Sequence, residues 1–473
     1  MAHYPQLIRR AFRFVLAPLR AAACDGKDRA HGSGGLLPSD LTGPATKTLL
    51  LVACLAVAAA CVTFKAWNMF GPSRRPMLQG WDDSFYYFWL PSVIMHHDLD
   101  FSRELLISET MDGKARETAL AQQRTPTGLL PNKYPPGWAI GSLPFFLAAM
   151  AISPPQSTGF EPTFLLAVWL GQMAYAALGL WVAGRIVRRL VPGSSATAAV
   201  LVIWLASPLV YYQTAAVSQS HSQVFVLAVV MFWLALHLND GDRRYRVWVA
   251  LGFYGTLMVV TRNVAAIYLC FPAAVVPWRS MSGRELACLL MGALPPAALQ
   301  MVAWKVLYGD WIVYSYSNEH FDFFHPHLVD VLFSANHGWF YWHPLILVGL
   351  LPFAAWALVN RIGRPWIIAL VAAVAINASW WCWWLGSSFG HRGFEVGTFF
   401  AMAGFALILR ATPGRPVVRR VLAGTATVCV VWNLGLLALF LSHRIAREGP
   451  VTYGDAVRAY GGWASEICRR SPP

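Results

Sequence analysis

The sequence predicts an all-α polytopic membrane protein with about eleven transmembrane helices, and three observations carry that expectation. Of the 473 residues, 57% are hydrophobic and only 13% are charged, a balance too apolar for a water-soluble globule. The apolar residues fall in runs of about 15 to 25, the length a helix needs to cross a bilayer. The basic residues gather in short stretches between alternate runs, as topology determinants do.

Residues 1–46 carry Arg9, Arg10, Arg13, Arg20, Lys27 and Arg29 among Leu7, Ile8, Phe12, Val15, Leu16 and Leu19. This pattern predicts a basic helix on the cytoplasmic surface. The first long apolar run, 48–67, follows too long a basic lead for a cleavable signal and reads as an anchored span. It opens a membrane domain over 47–442, with a first external loop at 68–162 and an external tail at 443–473.

The first loop contains the most unusual polar stretch of the chain, Gly80-Trp81-Asp82-Asp83-Ser84-Phe85-Tyr86-Tyr87. Phe85, Phe88, Trp89, Val93 and Ile94 recur near helical period, which predicts short helices along the membrane surface. Asp82 would then either act chemically or cap a helix beginning near Ser84. Lys133-Tyr134-Pro135-Pro136-Gly137 precedes an apolar run to Ile152 that is interrupted by Pro144 and short for a ~30 Å core. We read it as a re-entrant or interfacial helix.

The remaining spans are expected near 163–184, 196–214, 221–238, 246–261, 264–278, 286–307, 338–359, 365–384, 394–410 and 418–441. Charge tests this count. Arg185/Arg188/Arg189, Arg243/Arg244/Arg246, Arg279/Arg284, Arg361/Arg364 and Arg410/Arg415/Arg419/Arg420 all fall on the side of the basic N-terminus, as the positive-inside rule requires. Spans 246–261 and 264–278 are short and meet at Arg262-Asn263, a polar break of the kind that lines protein cavities. One long kinked helix is the alternative.

With this topology Asp82, Asp83, Lys133, Arg262, the 308–336 loop with Glu319 and His320, and the 387–395 loop with His391 and Arg392 all face the external side. Asp82 and Asp83 suit a general base and an orienting carboxylate, with a pKa raised at the water–lipid boundary. They could also hold a divalent cation, although spacing fixes no third acidic ligand. Lys133, Arg262 and Arg392 suit a phosphate clamp; structurally, Lys133 would snorkel, Arg262 end a helix and Arg392 pair with Glu395. Gly386, Gly390 and Gly393 predict a tight loop after the Trp380–Trp384 cluster, which itself reads as an interfacial belt. His325, His327, His337 and His343 read as polar loop surface rather than metal ligands. The eight cysteines are scattered without metal-type or disulfide spacing. The net charge of +14 is that of topology clusters and argues against nucleic acid.

These residues resemble the GT-C superfamily of membrane glycosyltransferases, the type that includes protein O-mannosyltransferases, lipid A aminoarabinose transferases and lipopolysaccharide-core transferases. The resemblance covers roughly residues 48–440. It rests on the acidic pair followed by Tyr86, the Lys133–Gly137 stretch, the Tyr308-Gly309-Asp310 to Phe333-Ser334 loop, His337–Pro344, and the Gly386–Arg392 loop. In the family the acidic pair is commonly Asp-Glu; here it is Asp-Asp. The resemblance implies an inner-membrane enzyme that moves a sugar from a polyprenyl-phosphate-linked donor to a lipid, glycan or protein acceptor hydroxyl at the external face. It implies Asp82 as base and Asp83 as its partner. Tyr86, Lys133, Tyr134, Arg262, Glu319, His320, His391 and Arg392 would bind substrate. A transporter or flippase for a lipid-linked or anionic substrate is the rival expectation, and no inverted repeat supports it.

Overall fold

The computed structural model describes residues 44–70, 78, 80–108, 113–193, 195–316 and 318–470. Residues 1–43 of the expected basic surface segment lie outside the described residues. In chain order the helices are α1 (Pro44–Phe70), α2 (Gly80–Pro91), α3 (Ser102–Ile107), α4 (Gly113–Leu120), α5 (Gly137–Ile152), α6 (Pro162–Leu190) and α7 (Ala196–Leu205). There follow α8 (Leu209–Tyr212), α9 (Ser220–Asn239), α10 (Tyr245–Thr261), α11 (Cys270–Val275), α12 (Gly283–Tyr308), α13 (Asp330–Phe333) and α14 (Trp339–Trp342). The chain closes with α15 (Pro344–Val359), α16 (Arg364–Ser379), α17 (Gly397–Ala411), α18 (Pro416–Leu441) and α19 (Tyr453–Arg470). Among the described residues there is no β-strand, only an isolated bridge between Phe321 and Trp380.

Among the described residues five helices are long and apolar enough to cross a membrane: 46–67 within α1, and α6, α9, α12 and α18. They coincide with five of the expected spans. The other six expected spans fall on shorter apolar helices, and in two of them, 196–214 and 338–359, a helix begins at or just after a proline. Pro208 lacks a donor N–H, so the expected 196–214 span is divided into α7 and the single turn α8. The expected 338–359 span begins only at Pro344, which takes the first helical position of α15, where its missing N–H costs nothing. At 1.5 Å per residue the 16 residues of α15 span roughly 24 Å, less than the ~30 Å hydrocarbon core. The chain does break at Arg262: α10 ends at Thr261, Arg262 is extended, and a 3-10 turn runs from Asn263 to Leu269.

Small residues let backbones approach where the longest helix contacts run. A Cβ on Gly252 of α10 would lie 2.0 Å from the Leu289 carbonyl oxygen, and one on Gly292 of α12 would lie 1.9 Å from that of Val249. Gly404 of α17 meets the Gly349 carbonyl of α15 in the same way, at 1.9 Å. Helix α9 is buried along most of its length. Its Gln223 donates to the Gly137 carbonyl (2.9 Å) and accepts from Gln172 (2.9 Å), satisfying polar groups in an otherwise apolar centre.

One helix of the first loop differs from the expected surface helices. Helix α2 is buried continuously from Asp83 to Pro91, and it forms its own core with Phe101, Leu130, Trp138 and Phe146. It starts at Gly80, so Asp82 and Asp83 stand in its first turn and Asp82 is not the cap of a helix starting at Ser84. Likewise the expected tail at 443–473 contains α19, which folds back on α18. Tyr453 stacks on Tyr341 at 4.3 Å and meets Trp432 edge-on at 5.5 Å.

Candidate functional site

The site is assembled from four loops and two helix starts. Helix α2 supplies Asp82 near its N-terminus, where the helix dipole favours a carboxylate. The Lys133-Tyr134 segment is clipped onto α2 from both sides. Asn132 donates to the Phe85 carbonyl (2.9 Å) and accepts from the Tyr134 N–H (3.0 Å), while Trp89 donates to the Tyr134 carbonyl (3.1 Å). This delivers the Tyr134 hydroxyl to one oxygen of Asp82, to which it donates. The 308–319 loop is attached in turn by Ser315, which donates to the Lys133 carbonyl (2.9 Å). That attachment places Glu319 in an ion pair with Lys133, whose ammonium also lies 5.4 Å from the ring centroids of both Tyr134 and Tyr316.

Arg392 comes from the tight loop after α16. Gly386 and Gly390 both have positive φ, and a Cβ on Gly390 would lie 2.0 Å from Nε2 of His343. The three glycines expected to tighten this loop do so, since Gly393 likewise has no room beside Asn377. The loop aims Arg392 at the second oxygen of Asp82, 2.5 Å away, and at Gln219, 3.1 Å away. Asp82 and Arg392 therefore form a partly buried pair, not the expected pair between Arg392 and Glu395. Glu395 instead faces Arg262 at 3.3 Å and His221 at 3.6 Å, and Arg262 also meets His221 at 2.8 Å.

This pairing reverses the expected electrostatics of Asp82. Burial pushes its carboxyl up, but Arg392, the Tyr134 hydroxyl, Lys133 and His221 together hold it below the ordinary carboxylate value. Burial likewise opposes the charge on Arg392, Asp82 is the largest influence that favours it, and on balance the guanidinium is held firmly protonated. Tyr134 is pushed well above its usual value by burial and by Asp82, and remains a donor.

Two adjoining cavities share this wall. The larger has a volume of about 790 Å³ and the smaller about 280 Å³; Asp82, Lys133, Tyr134, Tyr316, Glu319 and Arg392 line both. The larger extends to Asp83, Lys65, Tyr211 and Arg447. The smaller extends to Tyr86 and Arg262 and is walled by Val264, Val313, Ile376, Trp380 and Leu385. Adjacent in sequence, the two carboxylates are thus divided: Asp82 serves both cavities and Asp83 only the larger, where it lies close to Lys65.

Two expected substrate contacts are not at the site. His391 is fully buried; its Nδ1 accepts from the Gly393 N–H (3.3 Å) and its Nε2–H donates to the Trp383 carbonyl (2.9 Å). Burial pushes its imidazole down to about 3, so it is a neutral brace for the loop that carries Arg392. His320 is exposed, donates to the Asn318 carbonyl (3.2 Å) and lines neither cavity. The other loop histidines also divide. His325 and His327 are exposed and pair with Asp322 and Asp330, whereas His337 and His343 are buried among Trp342 and Phe389 rather than on the surface.

Sequence reading missed Gln219, His221, Tyr316, Lys65 and Arg447. Lys65 alone carried a signal, as a lysine inside an apolar span. Among the described residues no group of three His, Cys, Asp or Glu is placed to hold a metal ion, and Cys54, Cys61, Cys270, Cys288, Cys382 and Cys429 are free. No family model matches the chain, and no curated protein matches it.

Proposed function

We propose that the chain is a membrane glycosyltransferase that moves a sugar from a polyprenyl-phosphate-linked donor to an acceptor hydroxyl, with inversion at the anomeric carbon. The observation that carries this reading is the position of Asp82: of the two carboxylates in the wall common to both cavities, Glu319 is taken up by Lys133, whereas Asp82 is oriented by Tyr134 and Arg392 and held ionised. The smaller cavity combines apolar walls with Lys133, Arg262 and Arg392, which suits a phosphate on a lipid tail. The larger and more polar cavity suits an acceptor approaching the same carboxylate from the other side.

The reaction follows from these groups. The acceptor oxygen bonds to the anomeric carbon as the bond from that carbon to the phosphate oxygen breaks, and the bonding pair leaves on the phosphate. The hydroxyl proton passes to Asp82. A carboxylate of lowered basicity takes that proton late, once bond formation has made the hydroxyl acidic. The leaving polyprenyl phosphate needs no proton, because Lys133, Arg262 and Arg392 stabilise its charge. Tyr134 orients Asp82, while Glu319 holds Lys133 in the shared wall. In this reading the eleven expected spans place the N-terminus in the cytoplasm and the site on the external face of the inner membrane.

The direct test is release of free polyprenyl phosphate from radiolabelled lipid-linked sugars by the purified protein. Release with transfer of label to an added acceptor is expected. A transporter or flippase would move the lipid-linked sugar across a proteoliposome membrane and leave it intact, and that outcome replaces this reading.

A further inference from the structure

The larger cavity contains more positive charge than the proposed chemistry uses. Its charged lining consists of Lys65, Lys133, Arg392 and Arg447 against Asp82, Asp83 and Glu319. Arg392 is taken by Asp82 and Lys133 by Glu319, and Lys65 lies beside Asp83. The remaining cation is Arg447, and among the described residues no carboxylate lies within ion-pair distance of it.

Arg447 is nevertheless held in place. Its carbonyl accepts from the Ser388 N–H (3.1 Å), which ties the segment after α18 to the loop that carries Arg392. Its guanidinium lies 4.8 Å from the Phe440 ring centroid and donates to the Tyr211 hydroxyl (3.2 Å), while its buried Nε has no hydrogen-bond partner. Lys65 is 8% exposed on a membrane-length helix and lies within electrostatic reach of Arg447. With Asp83 set against Lys65, the group carries one positive charge in excess at Arg447, which an anion would complete.

We propose that the larger cavity binds an acceptor carrying an oxyanion, a phosphate or a carboxylate, on the same small unit as the hydroxyl, with Arg447 and Lys65 as its ligands. The proposal rests on the glycosyl-transfer reading for the word acceptor, but its test requires no turnover. Arg447 provides the planar fork that matches an oxyanion, and Lys65 of α1 provides a point charge in the same lining. Specificity would follow from desolvation, because a neutral analogue leaves Arg447 in the cavity without an anion.

The experiment measures binding of a hexose 6-phosphate, the corresponding hexuronate and the neutral hexose to the full chain in nanodiscs by calorimetry. The phosphate or the uronate is expected to bind and the neutral hexose at least tenfold more weakly; whichever anion binds identifies the group. Arg447→Gln is expected to weaken anion binding about tenfold or more, the loss of one charge-assisted contact. Lys65→Gln supplies a second variant should Arg447→Gln fail to elute as a monodisperse species. Arg103→Gln, which changes an exposed arginine that lines neither cavity, is expected to alter binding less than twofold.

Wild-type binding by Arg447→Gln and Lys65→Gln overturns the proposal, and so does an equal loss in all three variants. Equal binding of the charged and neutral sugars overturns it as well. Anion binding that depends on Arg447, in a protein that never releases polyprenyl phosphate, would retain this site and remove the glycosyl-transfer reading. Turnover without anion dependence would do the reverse.

Discussion

Asp82 accepts from Tyr134 and pairs with Arg392 at 2.5 Å, so its chemistry depends on its neighbours as much as on its own carboxyl. Asp82→Asn retains the shape and one acceptor but removes the proton-accepting oxygen. Single-turnover sugar transfer is expected to fall about 10² to 10⁴-fold while donor binding largely survives. Asp83→Asn is expected to be milder, since Asp83 lines only the larger cavity. Near-normal transfer by Asp82→Asn would remove it as the base.

The same pair sets a pH expectation. Because the Asp82 carboxyl is held below its ordinary value, it stays ionised above the usual carboxylate range and is protonated only as pH falls through that lowered value. The acidic limb of the rate profile should therefore lie below the range of a free carboxylate. Arg392→Ala removes the largest influence that lowers it and leaves burial, which raises it. The acidic limb of that variant is expected to move to higher pH, and a profile unchanged in position would show that the observed limb belongs to another group. Of the expected contacts, Asp82, Tyr86, Lys133, Tyr134, Arg262, Glu319 and Arg392 do line the cavities. His320 and His391 do not, because sequence position does not reveal which way a loop side chain turns.

At the scale of elements, the site depends on how closely helices approach. Helices α10 and α12 touch backbone to backbone at Gly252 and Gly292, and α10 must end where it does for Arg262 to face His221 and Glu395. Gly252→Val inserts a branched side chain where even a Cβ would meet the Leu289 carbonyl at 2.0 Å. It is expected to destabilise the protein by about 1 to 3 kcal/mol, the usual cost of overpacking. Thermal unfolding in detergent measures this, and a change of less than a degree or two in Tm would show that the two helices can separate freely. The break at Arg262 was readable because two short apolar runs flank a charged residue. The division at Pro208 was not recognised, because the apolar character continues on both sides of it.

For the molecule as a whole, the expected topology places the loop containing α2 and α3 on the external side together with α19. Arg103 and Val457 are well exposed in those two regions, whereas Ser102 is tied to Asp100. In a background lacking the native cysteines, Arg103→Cys and Val457→Cys should both react with a membrane-impermeant maleimide added to intact cells. Labelling of either only after permeabilisation would place it on the inner side and undo the shared external face.

The sequence by itself determined the helical class, the apolar runs, the polar break at Arg262, the tight glycine loop and, of the cavity lining, Asp82, Asp83, Tyr86, Lys133, Tyr134, Arg262, Glu319 and Arg392. These are properties of composition, run length and backbone freedom, which a short window of sequence contains. Only the tertiary structure decided that Arg392 pairs with Asp82 and not Glu395, that Asp82 lines both cavities and Asp83 only the larger, and that Lys65 and Arg447 line that same cavity. Asp82 and Arg392 are 310 positions apart, and an ion pair depends on distance in space and on local burial, neither of which residue spacing encodes across such a separation.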